Sequence, residues 1–333
     1  MNDSNIDDIE IHNNIGDINI HAFAGIVMLA VSPFGVAANA YVFLNVLSRR
    51  QSRNSFLTLC ASKALFNFVI CFVFLIWCTP IAFLHAYFLP PVVGMIFGNV
   101  VGGMLYLGGV ITQVLASVNR LIASFSIQLY SKFCTLRNTM IFLTLCWMGT
   151  FALAVIYSLG EIGYLFDAET LIWQGDGKPK STEAFELIGL IVYLSTAVMF
   201  ILNTVTFVKL IMLTKSNTVL SSTESTKRMK RNRVLFVQKV LQDCLYLVDM
   251  LFAQALSELL PYNWWQFLCS SFVWLTLNTL DGFIMIIFVK DLNDPIRKRI
   301  RQFTVSFFPH LQKSNDLFIR RQSNVVTKAT ISS

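Results

Sequence analysis

Apolar and polar positions separate along this chain on a scale of tens of residues rather than single turns. Seven apolar runs cover residues 22–47, 56–84, 92–125, 139–159, 185–213, 234–260 and 264–289, with short polar stretches between them. Each is at least about 20 residues, enough for a helix to cross about 30 Å of hydrocarbon. Backbone polar groups in lipid must be satisfied within their own segment, which selects helices. The pattern predicts an all-α membrane protein, a seven-transmembrane helix bundle over residues 22–289. An odd number of crossings puts the two ends of the chain on opposite faces.

Breaks inside the runs are few. Pro80, late in the second run, predicts a kink, and Pro261 predicts the end of the sixth helix. Gly94, Gly98 and Gly102 stand at i, i+4 and i+8, a stripe of small residues that lets a neighbouring backbone approach within one bundle. No half of the chain repeats the other, as many transporters do. Beyond the seventh run, Ile296, Ile300, Phe303 and Phe307 share one helical face, with Arg297, Lys298, Arg299 and Arg301 around it. This predicts a juxtamembrane amphipathic helix within 290–309, capped by Asp294, starting at Pro295, stopped by Pro309 and lying on the lipid surface. Residues 310–333, rich in Ser and Thr, read as a disordered cytoplasmic tail.

Charge sets the orientation. Of the 26 Lys and Arg residues, 23 flank the connections after runs one, three and five or lie in the C-terminal tail; Lys239 is counted there, beside the third connection. The opposite face has only Lys178 and Lys180. Positive residues stay cytoplasmic, so the N-terminus is expected outside and the tail inside. Residues 1–21 agree, with Asp3, Asp7, Asp8, Glu10 and Asp17 and no Lys or Arg. They lack a basic n-region, so no cleaved signal peptide is expected and the first span directs its own insertion. Asn2-Asp3-Ser4 is a glycosylation sequon on the outer side, with chance occurrence the better reading. The net charge of +7 does not point to nucleic acid, because the basic residues hug membrane ends. A composition 55% hydrophobic and 14% charged excludes a soluble domain.

Ionisable groups inside the spans carry the most information, since each is costly in lipid. Lys63, Asp243 and Asp281, with Asn39 and Asn67, fall in one layer about 10–15 Å above the inner face at ~1.5 Å per residue. Lys63 is expected to pair with Asp281 or Asp243 in an interior polar cluster; the alternative is that its long stem snorkels to the interface. Asn119-Arg120 ends helix three on the inner side, either as a topogenic charge or as a switch residue released to a cytoplasmic partner.

Six of the seven cysteines lie in or at the ends of spans and read as small hydrophobes. None falls in 85–91 or 160–184, which rules out a disulfide from helix three to the second outer loop; Cys78 and Cys269, both near the outer face, leave one other pairing open. The four histidines, His12, His21, His85 and His310, fall outside the expected core, so no metal site can be drawn. No GxSxG or Cys–His pair is present, which speaks against an enzyme. A retinal Schiff base would need a Lys within helix seven, where only Lys290 stands at the end. No cofactor is implied.

Several motifs together resemble those of seven-helix G-protein-coupled receptors, and more narrowly nematode serpentine receptors of class X. They are Gly35-Val36-Ala37-Ala38-Asn39, Asn54-Ser55-Phe56-Leu57-Thr58-Leu59-Cys60-Ala61-Ser62-Lys63, Asn119-Arg120, Trp147, Gln238 with Gln242-Asp243, Trp264-Trp265, Phe272-Val273-Trp274 and Asp281-Gly282. Their order and spacing span residues 25–305. The resemblance implies a rhodopsin-like architecture and a chemosensory role in the plasma membrane of a sensory cell or cilium. It also implies a small-molecule or peptide ligand outside, and a heterotrimeric G protein inside coupled through Asn119 and Arg120. Three departures stand out. The NPxxY signature of helix seven is absent, with Asp281-Gly282 in its neighbourhood. Outer-loop cysteines are absent, and Lys63 stands where the broader class usually has Asp, which puts that class's sodium site in doubt. A transporter or ion channel using a buried Lys–Asp pair is the alternative, separable by transport in liposomes.

Overall fold

The computed structural model describes residues 4–48, 54–160, 162–216 and 223–307, with backbone only at 4–19, 127, 213–216, 223–232, 291 and 300–307. Asn2, Arg49, Arg50, Arg53 and the tail beyond residue 307 lie outside the described residues. The chain divides into Met1–Phe288 and Val289–Ser333.

The first unit is an all-α bundle of seven long helices. Helix one runs Ser4–Ser48, helix two Ser55–Leu84, helix three Pro91–Phe125, helix four Leu136–Leu159 and helix five Pro179–Ser216. Helix six is Thr223–Met250 continued by the π-helical stretch Leu251–Leu256, and helix seven spans Asn263–Phe288. Six of them are long and apolar enough to cross a membrane. Helix six is not among these, because Gln238, Lys239, Gln242, Asp243 and Asp249 interrupt its apolar sequence. It also ends at Leu256, five residues ahead of Pro261, so the proline follows a turn rather than stopping the helix itself.

Local chemistry explains the boundaries. The Asn54 side chain caps helix two by accepting from the Leu57 N–H at 2.9 Å, and Thr135 caps helix four through Asn138 N–H at 3.2 Å. Pro80 has no N–H for the carbonyl one turn back. The stretch before it, Phe74–Cys78, is wound as a π-helix, and the Thr79 hydroxyl donates to Phe74 O at 2.8 Å. Similar stretches occupy Asn99–Tyr106 in helix three and Leu268–Phe272 in helix seven.

The core follows helices two, three and seven. Phe66, Phe74, Trp77, Ile81, Phe267 and Leu275 are fully enclosed, and most of the outward residues on helices four and five are large and apolar. Between helices four and five the chain forms a two-stranded antiparallel hairpin, β1 Tyr164–Phe166 and β2 Trp173–Gly175, pairing Tyr164 with Gly175 and Phe166 with Trp173. Phe166, Leu171 and Trp173 belong to the main core, so this hairpin is a plug rather than a surface loop. The bundle thus has a hairpin end and an Arg120 end.

The second unit contains one described helix, Lys290–Phe307. It starts five residues before Pro295, not at it. Amides of Leu292 and Asn293 both donate to Val289 O, at 2.9 and 3.0 Å, which launches the first turn and leaves Pro295 in the second at the cost of one backbone hydrogen bond.

Candidate functional site

Helices two, six and seven meet at a buried carboxylate. Asp281 is 2% exposed and accepts three hydrogen bonds: from Lys63 Nζ at 2.7 Å, Asn67 Nδ2 at 2.7 Å and Gln242 Nε2 at 2.9 Å. Lys63, 3% exposed, does not snorkel; its ammonium also stands 4.8 Å from the centre of the Tyr246 ring. Two charges removed from water need such a shell, because an incomplete one costs more than the pair returns. Asn39, fully buried, donates to Gly35 O and Asn278 O at 2.9 and 3.1 Å and ties helix one to helix seven. Gly282 makes room for it: a Cβ there would lie 2.9 Å from the Asn39 side chain.

Asp243 is not the partner of Lys63. It faces helices three and five, accepting from Gln113 Nε2 at 2.9 Å and from Asn203, and pairs with Lys239 one turn before it. Lys239 is therefore no loop-flanking charge. It is fully buried, and the sequence count that placed it beside the third connection is corrected by this ion pair.

A third carboxylate lies nearer the hairpin end. Asp249, 7% exposed, accepts from the Tyr106 hydroxyl at 3.0 Å. Among the described residues no ion pair includes it. It lines a cavity of about 550 Å³ with Tyr106, Tyr164, Trp173, Phe185 and Trp274, and Glu258 and Gln266 sit at the same cavity. Asp249, Tyr106 and Trp274 also border a small cleft that reaches Lys63 and Asp281. Burial pushes the Tyr164 phenol well above its ordinary value, with the Asp249 charge adding to the shift.

The hairpin roofs this cavity. The close backbone approach expected at the glycine stripe of helix three is made by β1, at Gly98. A Cβ on Gly98 would stand 1.7 Å from Tyr164 O and one on Gly102 2.7 Å from the Tyr164 ring, while Gly94 faces Trp77 at 3.1 Å. Polar anchors complete the seat: Asn99 Nδ2 donates to Ile162 O at 2.9 Å, Tyr87 hydroxyl to Phe166 O at 3.1 Å and Ser271 hydroxyl to Leu171 O at 2.7 Å. Leu171 adopts a left-handed conformation, φ 58°, which its enclosed side chain holds in place. All seven cysteines are free, Cys78 and Cys269 included.

At the other end, Arg120 is 8% exposed and its guanidinium stacks 3.4 Å over the Phe56 ring of helix two. Asn119 Nδ2 donates to Ser55 Oγ at 2.6 Å, and Ser55 and Thr139 hydroxyls are 2.6 Å apart, linking helices two, three and four. Trp147 joins helices four and two, its Nε1 donating to Ser62 Oγ at 3.0 Å. Among the described residues no cluster of three metal-ligating side chains occurs. His21 is placed differently from expectation, however. His21 is 6% exposed and its ring lies 4.0 Å from that of His85, because helix one starts before residue 21 and carries it against the end of helix two.

The sequence matches the serpentine type 7TM GPCR chemoreceptor Srx family over residues 29–289. The chain belongs to the Srx family. The match takes in all seven helices, so this is a multi-pass membrane protein of the GPCR-type chemoreceptor class. The structure is similar to the crystal structure of squid rhodopsin, with TM-score 0.67 over 87% of each chain at 11% identity, a likeness of fold. No curated protein matches the sequence.

Sequence reasoning missed three groups of this Srx site. Lys239, Asp249 and the amide side chains Gln113 and Asn203 were in view, each inside an apolar run. The signal for the first two was the count of charges in run six, where Lys239, Asp243 and Asp249 recur at intervals of four and six residues.

Proposed function

We propose that this Srx chain is a chemosensory receptor of the plasma membrane of a sensory cell. Its N-terminus and hairpin end face outside, and its Arg120 end faces a heterotrimeric G protein. A small molecule or short peptide would enter the cavity under the hairpin. The observation that carries this reading is continuity: the cavity floor residues Tyr106, Asp249 and Trp274 also border the cleft that reaches the Lys63–Asp281–Gln242 bonds. Those bonds join helices two, six and seven, so a ligand pressing on the floor acts on the element that would have to move at the Arg120 end. Support for the orientation comes from the basic residues: with Lys239 counted in the interior, 22 of 26 lie on the expected inner side or at its edge.

The transport reading has less to rest on. Asp281 already has Lys63, Asn67 and Gln242 as donors, which suits a structural pair better than an ion-coupling one.

The test is expression in cells carrying a promiscuous Gα subunit with a calcium readout, screened against volatile and water-soluble small molecules and short peptides. Tags at residue 2 and after Ser333 should be accessible outside and inside respectively. A ligand-dependent calcium signal that needs the Gα subunit is the expected result. Solute uptake by proteoliposomes with no Gα-dependent signal, or both tags on one face, would overturn the reading.

A further inference from the structure

We infer that the cavity under the hairpin is built for a monovalent organic cation, an ammonium group carried on an apolar or aromatic body, with Asp249 as its counter-charge. The inference rests on the proposed receptor function for the location of the site, and adds the chemical class of ligand.

The charge count across the interior is uneven. Helices six and seven bring three aspartates inward. Asp281 has the ammonium of Lys63, and Asp243 has that of Lys239. Among the described residues Asp249 has a single hydroxyl donor, from Tyr106. Holding a buried carboxylate charged with one neutral hydrogen bond is costly, and a cation beside it offsets that cost. Among the described residues Lys63 and Lys239 are engaged by their own aspartates and no ion pair includes Asp249, so a cation entering the cavity from outside supplies the missing complement.

The walls suit the same class. Tyr106 and Trp274 meet edge to face, with ring centres 5.6 Å apart, and Trp173 lies 6.3 Å from Trp274. Rings set at right angles beside a carboxylate present π-faces to an ammonium from more than one side, an arrangement that stabilises cations held out of water. Glu258, exposed at the same cavity, adds negative potential on the approach without being sequestered itself. The scattered acidic residues of the outer loops would indicate only solvation. Asp249 differs because it is buried, lines the cavity, and has no cation partner among the described residues.

The volume limits size. About 550 Å³ lies in the usual range of small-ligand pockets and accommodates an arylalkylammonium, not a folded peptide.

The experiment uses the full-length receptor in lipid nanodiscs and reads thermal unfolding, which needs no G protein. The probes are phenethylammonium, phenylpropylammonium and benzyltrimethylammonium, each beside its neutral alcohol or hydrocarbon isostere and the matching carboxylate. The expected result is a concentration-dependent rise in the unfolding midpoint with the cations alone, and an apparent affinity about thirty-fold or more weaker in Asp249→Asn, as follows from removing one partner of a buried charge pair. Equal shifts from neutral isosteres, larger shifts from carboxylates, no shift from any cation, or an unchanged affinity in Asp249→Asn would each overturn the inference. If Asp249→Asn does not fold, the charge selectivity of the unsubstituted receptor decides. The two readings fail separately: cation binding without any Gα-dependent signal removes the signalling role and keeps the site, whereas signalling to neutral or anionic compounds alone removes the cation site and keeps the receptor.

Discussion

The backbone carbonyl oxygen of Tyr164 stands 1.7 Å from the point a Cβ would occupy on Gly98. No unbonded heavy atoms come so close, and the obstacle is main chain, which cannot rotate away. Overpacking typically costs about 1–3 kcal/mol, and a backbone obstacle places this site at the upper end. Gly98→Ala is expected to lower the unfolding midpoint in nanodiscs and reduce surface delivery. Gly103→Ala, with nothing within 4 Å of the added atom, should change neither. Equal behaviour of the two variants would mean that β1 is not seated on helix three.

The Lys63–Asp281 pair predicts non-additive losses. Lys63→Met leaves Asp281 with two amide donors and no cation, at a cost of about 3–5 kcal/mol for a buried pair broken on one side. Lys63→Met combined with Asp281→Asn should recover part of that loss. A double-mutant cycle on thermal stability measures the coupling. Losses that simply add would show that the two side chains do not interact.

Arg120→Ala removes the guanidinium stacked over Phe56 while leaving the Asn119–Ser55 bond. Loss of Gα-dependent signalling is expected with surface delivery retained. Unchanged signalling at matched surface expression would restrict Arg120 to a topogenic role.

Reducing agent should have no effect. The hairpin is held by Asn99, Tyr87 and Ser271 together with its own buried side chains, and every cysteine is a free thiol. Dithiothreitol on intact cells is expected to leave surface antibody labelling and ligand response unchanged. A drop in either would reveal a disulfide, for which Cys78 and Cys269 are the first pair to substitute.

The seven helices were legible because lipid imposes one period and one length on every span, and charge near their ends sorts the loops. The interior was legible only in outline. Depth along a helix can be counted from its end, which puts Lys63, Asp243 and Asp281 in one layer, but rotation about the helix axis cannot. Asp243 and Asp281 therefore remained interchangeable until packing turned Asp243 toward Gln113 and Asn203. Lys239 was misplaced for a related reason: a lysine about one turn into a span looks like a flanking charge unless the aspartate four residues later is read as its partner. The hairpin was invisible, since a three-residue strand such as Tyr164–Phe166 has no period of its own and owes its place to the gap left by Gly98 and Gly102.

The π-helical stretches of helices two, three, six and seven all fall in the half of the bundle nearer the hairpin. Each accommodates a local surplus of chain without shifting the turns toward the Arg120 end. An insertion or deletion of one residue there rotates the remaining hairpin-side turns by about 100°. Length changes in this half would thus exchange the side chains presented to the cavity while the register of Asn119, Lys63 and Asp281 stays fixed.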